Sequence, residues 1–229
     1  MTNLIGQSIG RYHVVDQLGQ GGMAIVYKAF DTHVETDVAI KFIRKEKLAP
    51  EMYEKSLKRF NIEAKNMAKL THPNIVKVTD YGTHEGSPYL VMAYLHGGTL
   101  KEKLGKPMPW ATAAKLLVPI AHALDYAHQQ KTIHRDVKPA NILLTESGQP
   151  MLSDFGIAKV LEDLDETGTL TGTGVGIGTP EYMAPEQCTG RGVDHRADIY
   201  ALGVVFYELG TGRKPYIADT PKAVVIMHA

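Results

Sequence analysis

The chain has 229 residues, 44% of them hydrophobic, which is enough for one large core or two small ones. Lysine plus arginine and aspartate plus glutamate number 25 each, so the net charge is zero and no general attraction to nucleic acid or an anionic membrane is implied. Cys188 is the only cysteine, which excludes an intramolecular disulfide and fits a reducing compartment.

The sequence supports neither a targeting or membrane-spanning segment nor a zinc site. The chain start lacks a cationic stretch followed by an apolar run, and no run approaches the ~18 apolar residues of a spanning helix. We therefore expect a cytoplasmic protein, or the cytosolic part of a longer membrane-anchored one. The ten histidines show none of the paired spacings of zinc sites, so a zinc centre is not expected.

The first part of the chain has the pattern of an antiparallel meander followed by one helix. Alternating apolar and polar residues predict strands at residues 12–18, 25–30 and 37–43, and again at 75–81 and 89–94. Between them, apolar residues spaced by three and four predict a helix that lies across the meander, through Tyr53, Leu57, Phe60, Ala64 and Met67.

The rest of the chain is predicted to be mainly helical. The strongest helical stretches are residues 110–130, in which Pro119 should start a new helix or cause a kink, and residues 197–209. Short strands are expected around residues 142–144 and 151–152. Residues 167–178 are rich in threonine and glycine without hydrophobic anchors, which predicts mobility.

Gly97 and Gly98 suit a connector, so we place a domain boundary just before them. Residues 1–95 then form a small sheet-rich lobe and residues 96–229 a larger helical lobe. The predicted fold class is α+β with two lobes, and ligands are commonly bound in the cleft of such an architecture.

A glycine cluster ends the first predicted strand. Gly19, Gly21 and Gly22 would let backbone N–H groups approach a polyphosphate without side chains in the way. Taken alone, the cluster fits an ordinary hairpin turn equally well. It is neither a dinucleotide fingerprint, because a strand rather than a helix follows, nor a Walker motif, because it lacks Gly-Lys-Ser/Thr.

Two charged residues fall on apolar faces. Lys41 shares its strand face with Ala39, and Glu63 lies on the inward stripe of the predicted helix, between Phe60 and Met67. A charge in such surroundings is costly unless it is paired. The sequence therefore predicts an ion pair between Lys41 and Glu63, against the alternative of two unrelated surface charges.

Four segments carry a family resemblance: HRDVKPAN at residues 134–141, SDFG at 153–156, MAPE at 183–186 and DIYALG at 198–203. In this order, after the glycine cluster and Val-Ala-Ile-Lys, they resemble the motifs of a protein kinase. The resemblance runs from about residue 10 to the end of the chain, and Gly-Gly-Met-Ala and Pro-Glu-Gln look most like bacterial serine/threonine kinases. It implies a two-lobed protein-kinase-like fold.

The resemblance also implies an activity: transfer of the ATP γ-phosphoryl group to serine or threonine hydroxyls of protein substrates. It makes Asp136 the acceptor of the hydroxyl proton and Lys138 the residue that steadies the γ phosphate. Lys41 would contact the α and β phosphates, with Glu63 holding it in place. His134 would be structural rather than a general base.

The same resemblance implies ATP and Mg²⁺ or Mn²⁺ as cofactors. Asn141, which also belongs to the catalytic set, and Asp154 offer the hard oxygen ligands that such cations prefer. The implied nucleotide-binding residues are Leu18, Gly19, Gly21, Gly22, Val26, Ala39, Lys41, Met92, Leu95 and Leu143.

Regulation and partners follow from further matched positions. Thr179 should hydrogen-bond near Asp136 and Lys138 and shape the site for a short side chain. The expected autophosphorylation sites are Thr171 and Thr173, with Thr169 as runner-up. Arg11 and Asp80 match positions that form a salt bridge across a back-to-back dimer of small lobes in bacterial relatives, with a solvated pair as the alternative.

Two other functions stay open from the sequence. The chain could be a nucleotide-binding pseudokinase scaffold, although the residues whose loss would favour this reading, Lys41, Asp136 and Asp154, are all present. It could also be an inactive fragment, because the family normally continues with further helices and an arginine that pairs with the position of Glu186. We accordingly expect a chain truncated at its C-terminal end, with low stability and low activity in isolation.

Overall fold

The computed structural model describes residues 3–47, 53–155, 180–189 and 192–228. These residues divide into two compact units. The first holds the described residues up to Thr71 together with Val76–Tyr94, and the second holds His72–Ile75 and the described residues from Leu95 onward.

An antiparallel sheet with the strand order β1-β2-β3-β4-β6-β5 forms the first unit. The three strands predicted for the meander are confirmed and each is slightly longer than expected. The strands are β1 (Ser8–Ile9), β2 (Tyr12–Gln20), β3 (Ala24–Asp31), β4 (Thr36–Ile43), β5 (Val78–His84) and β6 (Ser87–Ala93).

One face of this sheet carries an apolar core. Because side chains alternate along a strand, Tyr27, Ile40 and Val91 point to the same side, and all three are fully buried. The ring of Phe42 meets that of Tyr27 edge-on at a centroid distance of 6.0 Å. The cluster comprises Leu4, Ile9, Tyr12, Val14, Ile25, Tyr27, Ala29, Val38, Ile40, Phe42 and Val91.

The first unit has a short 3-10 turn at Lys45–Lys47 and one described α-helix, α1 (Tyr53–Lys69), which packs against β5 and β6. Its buried stripe includes Phe60, Ala64 and Met67, as the three-and-four spacing predicts. The predicted helix is therefore confirmed.

The second unit is mainly helical and contains one two-stranded ribbon. The register of the ribbon places Leu143 opposite Met151. Its elements are α2 (Trp110–Gln129), β7 (Ile142–Leu144), β8 (Pro150–Leu152), α3 (Pro185–Thr189), α4 (Arg196–Thr211) and α5 (Pro221–His228). Short 3-10 turns occupy Leu100–Lys103, Pro139–Asn141 and Pro180–Tyr182.

Helices α2 and α4 pack directly on each other. The rings of Trp110 and Phe206 lie 5.0 Å apart, and Gly210 lies so close that an added Cβ would be 2.1 Å from Trp110 Cζ3. Helix α4 ends at Thr211 and is capped by Gly212, whose left-handed φ of 74° lets its N–H donate to Glu208 O at 2.8 Å.

Two sequence predictions need correction. Of the two alternatives for Pro119, a new helix is wrong, because helix α2 runs through it; a kink there stays a prediction. The proline removes one intrahelical bond, and burial of Leu117 and Ile120 on either side favours continuing the helix. The strand expected at residues 75–81 begins only at Val78, because Ile75 pairs with Leu152 in an isolated parallel bridge of the second unit. Strand β1 and helices α3 and α5 were not predicted.

Among the described residues, no helix is both long enough and apolar enough to cross a lipid bilayer.

Candidate active site

Within residues 134–141, called the loop below, two side chains converge on the carboxylate of Asp136. Lys138 Nζ lies 2.8 Å from Asp136 Oδ2, and Asn141 Nδ2 donates to the same oxygen at 3.0 Å and to the backbone carbonyl of Asp136 at 2.8 Å. The short turn Pro139–Asn141 brings Asn141 back towards Asp136. The Asp136 side chain is 23% exposed, so it is accessible while its orientation is fixed by two donors.

The backbone just before Asp136 is held by a buried carboxylate from α4. Asp198, in the first turn of that helix, accepts the N–H of His134 at 2.8 Å and the N–H of Arg135 at 2.7 Å. His128 Nε2, at the end of α2, lies 2.7 Å from the same carboxylate. Burial favours a higher pKa for Asp198, but these hydrogen bonds outweigh it and leave the pKa below its ordinary value.

His134 is fully buried and both of its ring nitrogens are engaged. Nε2 donates to Ser153 O at 2.8 Å, so Nδ1 is the acceptor for the N–H of Asp136 at 3.2 Å. The ring also packs on Phe155 at 4.6 Å, and burial lowers the pKa of His134. Both nitrogens of the imidazole bind backbone groups, those of Ser153 and Asp136, and this supports the structural role expected for His134.

Arg135 adopts a left-handed backbone with φ 64°. Its carbonyl accepts a hydrogen bond from Gln187 Nε2 of α3 at 3.0 Å. Gln187 Oε1 in turn accepts the N–H of Ala184 at 3.0 Å. The backbone of the loop is therefore hydrogen-bonded by Asp198 of α4 and by Gln187 of α3.

The two predicted metal ligands lie in neighbouring backbone segments. Ser153, immediately before Asp154, donates both its N–H (2.9 Å) and its hydroxyl (3.0 Å) to Asn141 O. Since Asn141 uses its Nδ2 for Asp136, its Oδ1 is the side-chain atom suited to a cation. An amide oxygen and a carboxylate form a hard donor set that fits Mg²⁺ or Mn²⁺.

The first unit collects several predicted nucleotide-binding residues on one sheet face. The register places Val26 opposite Lys41 and Ala39 opposite Met92, and directly opposed residues share a face. This is the face opposite to the apolar core, because these residues alternate with core residues along β3, β4 and β6. Leu18 is 43% exposed in β2, next to a register shift.

The glycine cluster forms the tip of the β2–β3 hairpin. Gly21 donates its N–H to Ala24 O at 2.8 Å, and Gly19 pairs with Val26. An added Cβ at Gly19 or Gly22 would meet nothing within 4 Å. The tip is therefore open enough for backbone N–H groups to approach a ligand.

The other predicted site residues lie in several parts of the chain. Lys41 and Glu63 are both half-buried, and their pairing stays a prediction. Leu95 and Leu143 are half-buried in the second unit. The remaining residues lie outside the described ranges: Thr169, Thr171, Thr173 and Thr179.

The segment that follows Thr179 is fixed by polar contacts. Tyr182 donates its hydroxyl to Glu208 Oε2 at 2.6 Å, and burial raises the pKa of Tyr182. Lys214 Nζ donates to Glu181 Oε1 at 2.8 Å. These contacts hold the turn Pro180–Tyr182 against α4 and the residues after it.

Three residues that hydrogen-bond to residues 134–141 or to their supports were not predicted from the sequence as site residues: Asp198, His128 and Gln187. One signal was available for Asp198: it is an acidic residue in the first turn of a mainly apolar helix. Burial of such a residue requires hydrogen-bond partners. The identity of those partners depends on tertiary contacts that the sequence does not encode locally.

Comparisons with known proteins match this chain to one family of proteins. A family model described as a protein kinase domain matches residues 12–228. A probable serine/threonine-protein kinase of Corynebacterium efficiens is 41% identical over 224 residues, and the serine/threonine-protein kinase PknB of Mycobacterium leprae is 42% identical over 225 residues. Each match covers 95% of this chain but only 33% and 35% of the relative, respectively, so the chain spans about a third of those proteins.

A solved structure gives the same result for the fold. The kinase domain of Mycobacterium tuberculosis PknI superposes with a TM-score of 0.72 at 31% sequence identity. The match covers 94% of this chain and 78% of that one.

Proposed function

The chain belongs to the protein kinase family, and from that premise we propose that it is an ATP-dependent serine/threonine protein kinase. The observation that carries the proposal is the arrangement around Asp136, which is held by Lys138 and Asn141 and supported from behind by Asp198. We retain the division into lobes at residues 1–95 and 96–229 as part of the proposal.

The chemistry follows from what phosphoryl transfer requires. The acceptor hydroxyl must be aimed in line and relieved of its proton, and the negative charge of the transferred group must be met by cations. Asp136 is the base that accepts the proton. The ammonium group of Lys138, 2.8 Å from that carboxylate, lies where it can also contact a phosphate next to the acceptor.

The cofactors are assigned to residues that fit them. Asn141 Oδ1 and the carboxylate of Asp154 would hold Mg²⁺ or Mn²⁺, which supplies charge neutralisation for the phosphate oxygens. Val26, Ala39 and Met92 present apolar surface on one sheet face that suits an adenine ring, and Lys41 on the same face would meet the phosphates.

The experiment measures transfer of labelled γ-phosphate from ATP to an acceptor protein, with phosphoamino-acid analysis of the product. Asp136→Asn should reduce kcat by about 100- to 10,000-fold, because it removes the general base. Asp125→Asn is the matched control: it makes the same change at an exposed carboxylate of α2 and should leave kcat unaltered. Equal rates in the two variants, or a product containing mainly phosphotyrosine, would overturn the proposal.

The same assay separates the kinase from a nucleotide-binding scaffold. A scaffold would bind ATP without transferring phosphate, and Asp136→Asn would then change neither property. A kinase should lose transfer in Asp136→Asn while ATP affinity is retained, because Asp136 is not among the residues assigned to the nucleotide. Calorimetric titration with ATP and Mg²⁺ supplies the binding measurement.

The proposal extends to autophosphorylation and to the choice of substrate side chain. We place autophosphorylation at Thr171, Thr173 and Thr169, and selection for short hydroxyl side chains at Thr179. Mass spectrometry of the incubated protein tests the first; a threonine-to-alanine double variant at residues 171 and 173 with unchanged rate and phosphate content would refute it.

We also propose a back-to-back dimer through Arg11 and Asp80, two residues that already make contacts within one chain. Within one chain, Arg11 Nε lies 3.1 Å from Asp31 Oδ2 and its Nη2 lies 3.9 Å from Asp80 Oδ2, while Tyr12 donates to Asp80 at 2.7 Å. A dimer would therefore have to exchange these internal contacts for intermolecular ones. Sedimentation of wild type and Asp80→Asn at high micromolar concentration tests it; a monomer in both would exclude the dimer.

A further inference from the structure

Hydrogen bonds hold both ends of the peptide plane that joins Arg135 to Asp136. On the carbonyl side, Arg135 O accepts from Gln187 Nε2 at 3.0 Å. On the amide side, the N–H of Asp136 donates to His134 Nδ1 at 3.2 Å. The orientation of this plane, together with the φ of Asp136, sets the direction of the Cα–Cβ bond of Asp136, because the plane ends at the Asp136 Cα atom.

The backbone conformation at this point does not maintain itself. Arg135 has a φ of 64°, and a side chain with a Cβ is disfavoured in this left-handed region. Such a conformation persists where surrounding contacts over-determine it. The N–H of Arg135 is bound by Asp198 Oδ1 at 2.7 Å and its carbonyl by Gln187, so the left-handed residue is held from both of its backbone groups.

Gln187 is well placed for this task because its own amide is oriented. Its Oε1 accepts the N–H of Ala184 at 3.0 Å, which directs the NH₂ group towards Arg135. Both the glutamine and the loop lie in the second unit, and the two bonded residues are 52 positions apart in the chain. The contact therefore links α3 to the catalytic loop.

We propose that Gln187 is a positioning residue for phosphoryl transfer: its amide group holds the Arg135–Asp136 peptide plane and so aims the Asp136 carboxylate at the acceptor hydroxyl. The proposal rests on the kinase function proposed above. It predicts that loss of the Gln187 donor lowers the rate of the chemical step and leaves the binding of ATP unchanged.

The test uses Gln187→Glu in the whole chain. This change preserves the size of the side chain and the oxygen that accepts from Ala184, but replaces the donor with an oxygen that repels the Arg135 carbonyl. We expect kcat to fall by about 5- to 100-fold, the equivalent of one partly buried hydrogen bond, with KM for ATP within twofold of wild type. Gln149→Glu, which adds the same charge at an exposed turn, should match wild type.

Two further measurements keep the result from resting on activity alone. Hydrogen exchange at the amides of residues 134–141 should be faster in Gln187→Glu than in Gln149→Glu, whether or not the preparation transfers phosphate. Arg135→Gly adopts a left-handed φ without strain, so the penalty of Gln187→Glu on kcat should shrink in that background.

The outcomes separate this proposal from the one it rests on. Absence of transfer by the wild type refutes the kinase function, while the exchange data still decide whether Gln187 holds the loop. Transfer by the wild type with unchanged kcat and exchange in Gln187→Glu overturns the positioning role alone. A loss of kcat that only parallels a loss of folded protein, with additive effects in the Arg135→Gly background, overturns it as well.

Discussion

Replacing Asp198 by alanine should destabilise the helical unit strongly. The carboxylate is 1% exposed and accepts three hydrogen bonds of 2.7–2.8 Å, two of them from the backbone N–H groups of His134 and Arg135. Each buried donor left without a partner costs about 1–3 kcal/mol, and loss of one member of a buried charged network costs about 3–5 kcal/mol. A loss of about 5 kcal/mol would be a third or more of a typical domain stability of about 5–15 kcal/mol.

Urea unfolding followed by tryptophan fluorescence measures this effect. Trp110 is the only tryptophan, and it packs on Phe206 of the helix that carries Asp198, so its emission reports the correct unit. Asp198→Asn should lower the free energy of unfolding by about 1–3 kcal/mol, because one backbone N–H then faces an amide NH₂ group. Asp125→Ala, an exposed carboxylate, should stay within about 0.5 kcal/mol of wild type. If Asp198→Ala unfolded at the same urea concentration as Asp125→Ala, the proposed role of the buried carboxylate would be refuted.

Two more predictions concern packing and pH. Gly210→Ala should lower the free energy of unfolding by about 1–3 kcal/mol and shift the emission of Trp110, because the new Cβ would displace its ring. Gly203→Ala is the control in the same helix: its new Cβ meets nothing within 4 Å, so it should raise the free energy of unfolding by about 0.4–1 kcal/mol. Equal melting temperatures of the two variants would contradict this. Burial lowers the pKa of His72 and His228, so the unfolded chain binds protons that the folded chain does not as pH falls below about 6.5. The free energy of unfolding should therefore decrease as the pH falls below that value, and His72→Gln should flatten the dependence; an unaltered slope would count against it.

Local sequence periodicity was sufficient for much of the fold. The buried stripe of α1 follows from residues spaced by three and four, and the strands β2, β3 and β4 follow from alternation, because both patterns report burial of one side of a single element. The segment 134–141 was recognisable for another reason: its residues lie close in sequence, and Asp136, Lys138 and Asn141 remain close in the structure.

The parts that could not be predicted depend on distant segments. Ile75 has the residue type and neighbours of a strand, yet it pairs with Leu152, 77 positions later, and so joins the second unit. The partners of Asp198 lie 63 to 70 positions before it, and Arg135 and Gln187 are 52 positions apart. No window of ten or twenty residues contains such pairs, so only the folded chain identifies these side chains as parts of the site.

The sequence separation between Asp198 and the loop also affects the order in which the two are synthesised. Ribosomes add roughly 5–20 residues per second, so the 63 residues from Arg135 to Asp198 require about 3–13 seconds of synthesis. During that interval the backbone of the loop has been made and its buried acceptor has not. We expect a nascent chain to be catalytically silent until α4 has emerged, and a ribosome-bound chain stalled before residue 198 that already transfers phosphate would show otherwise.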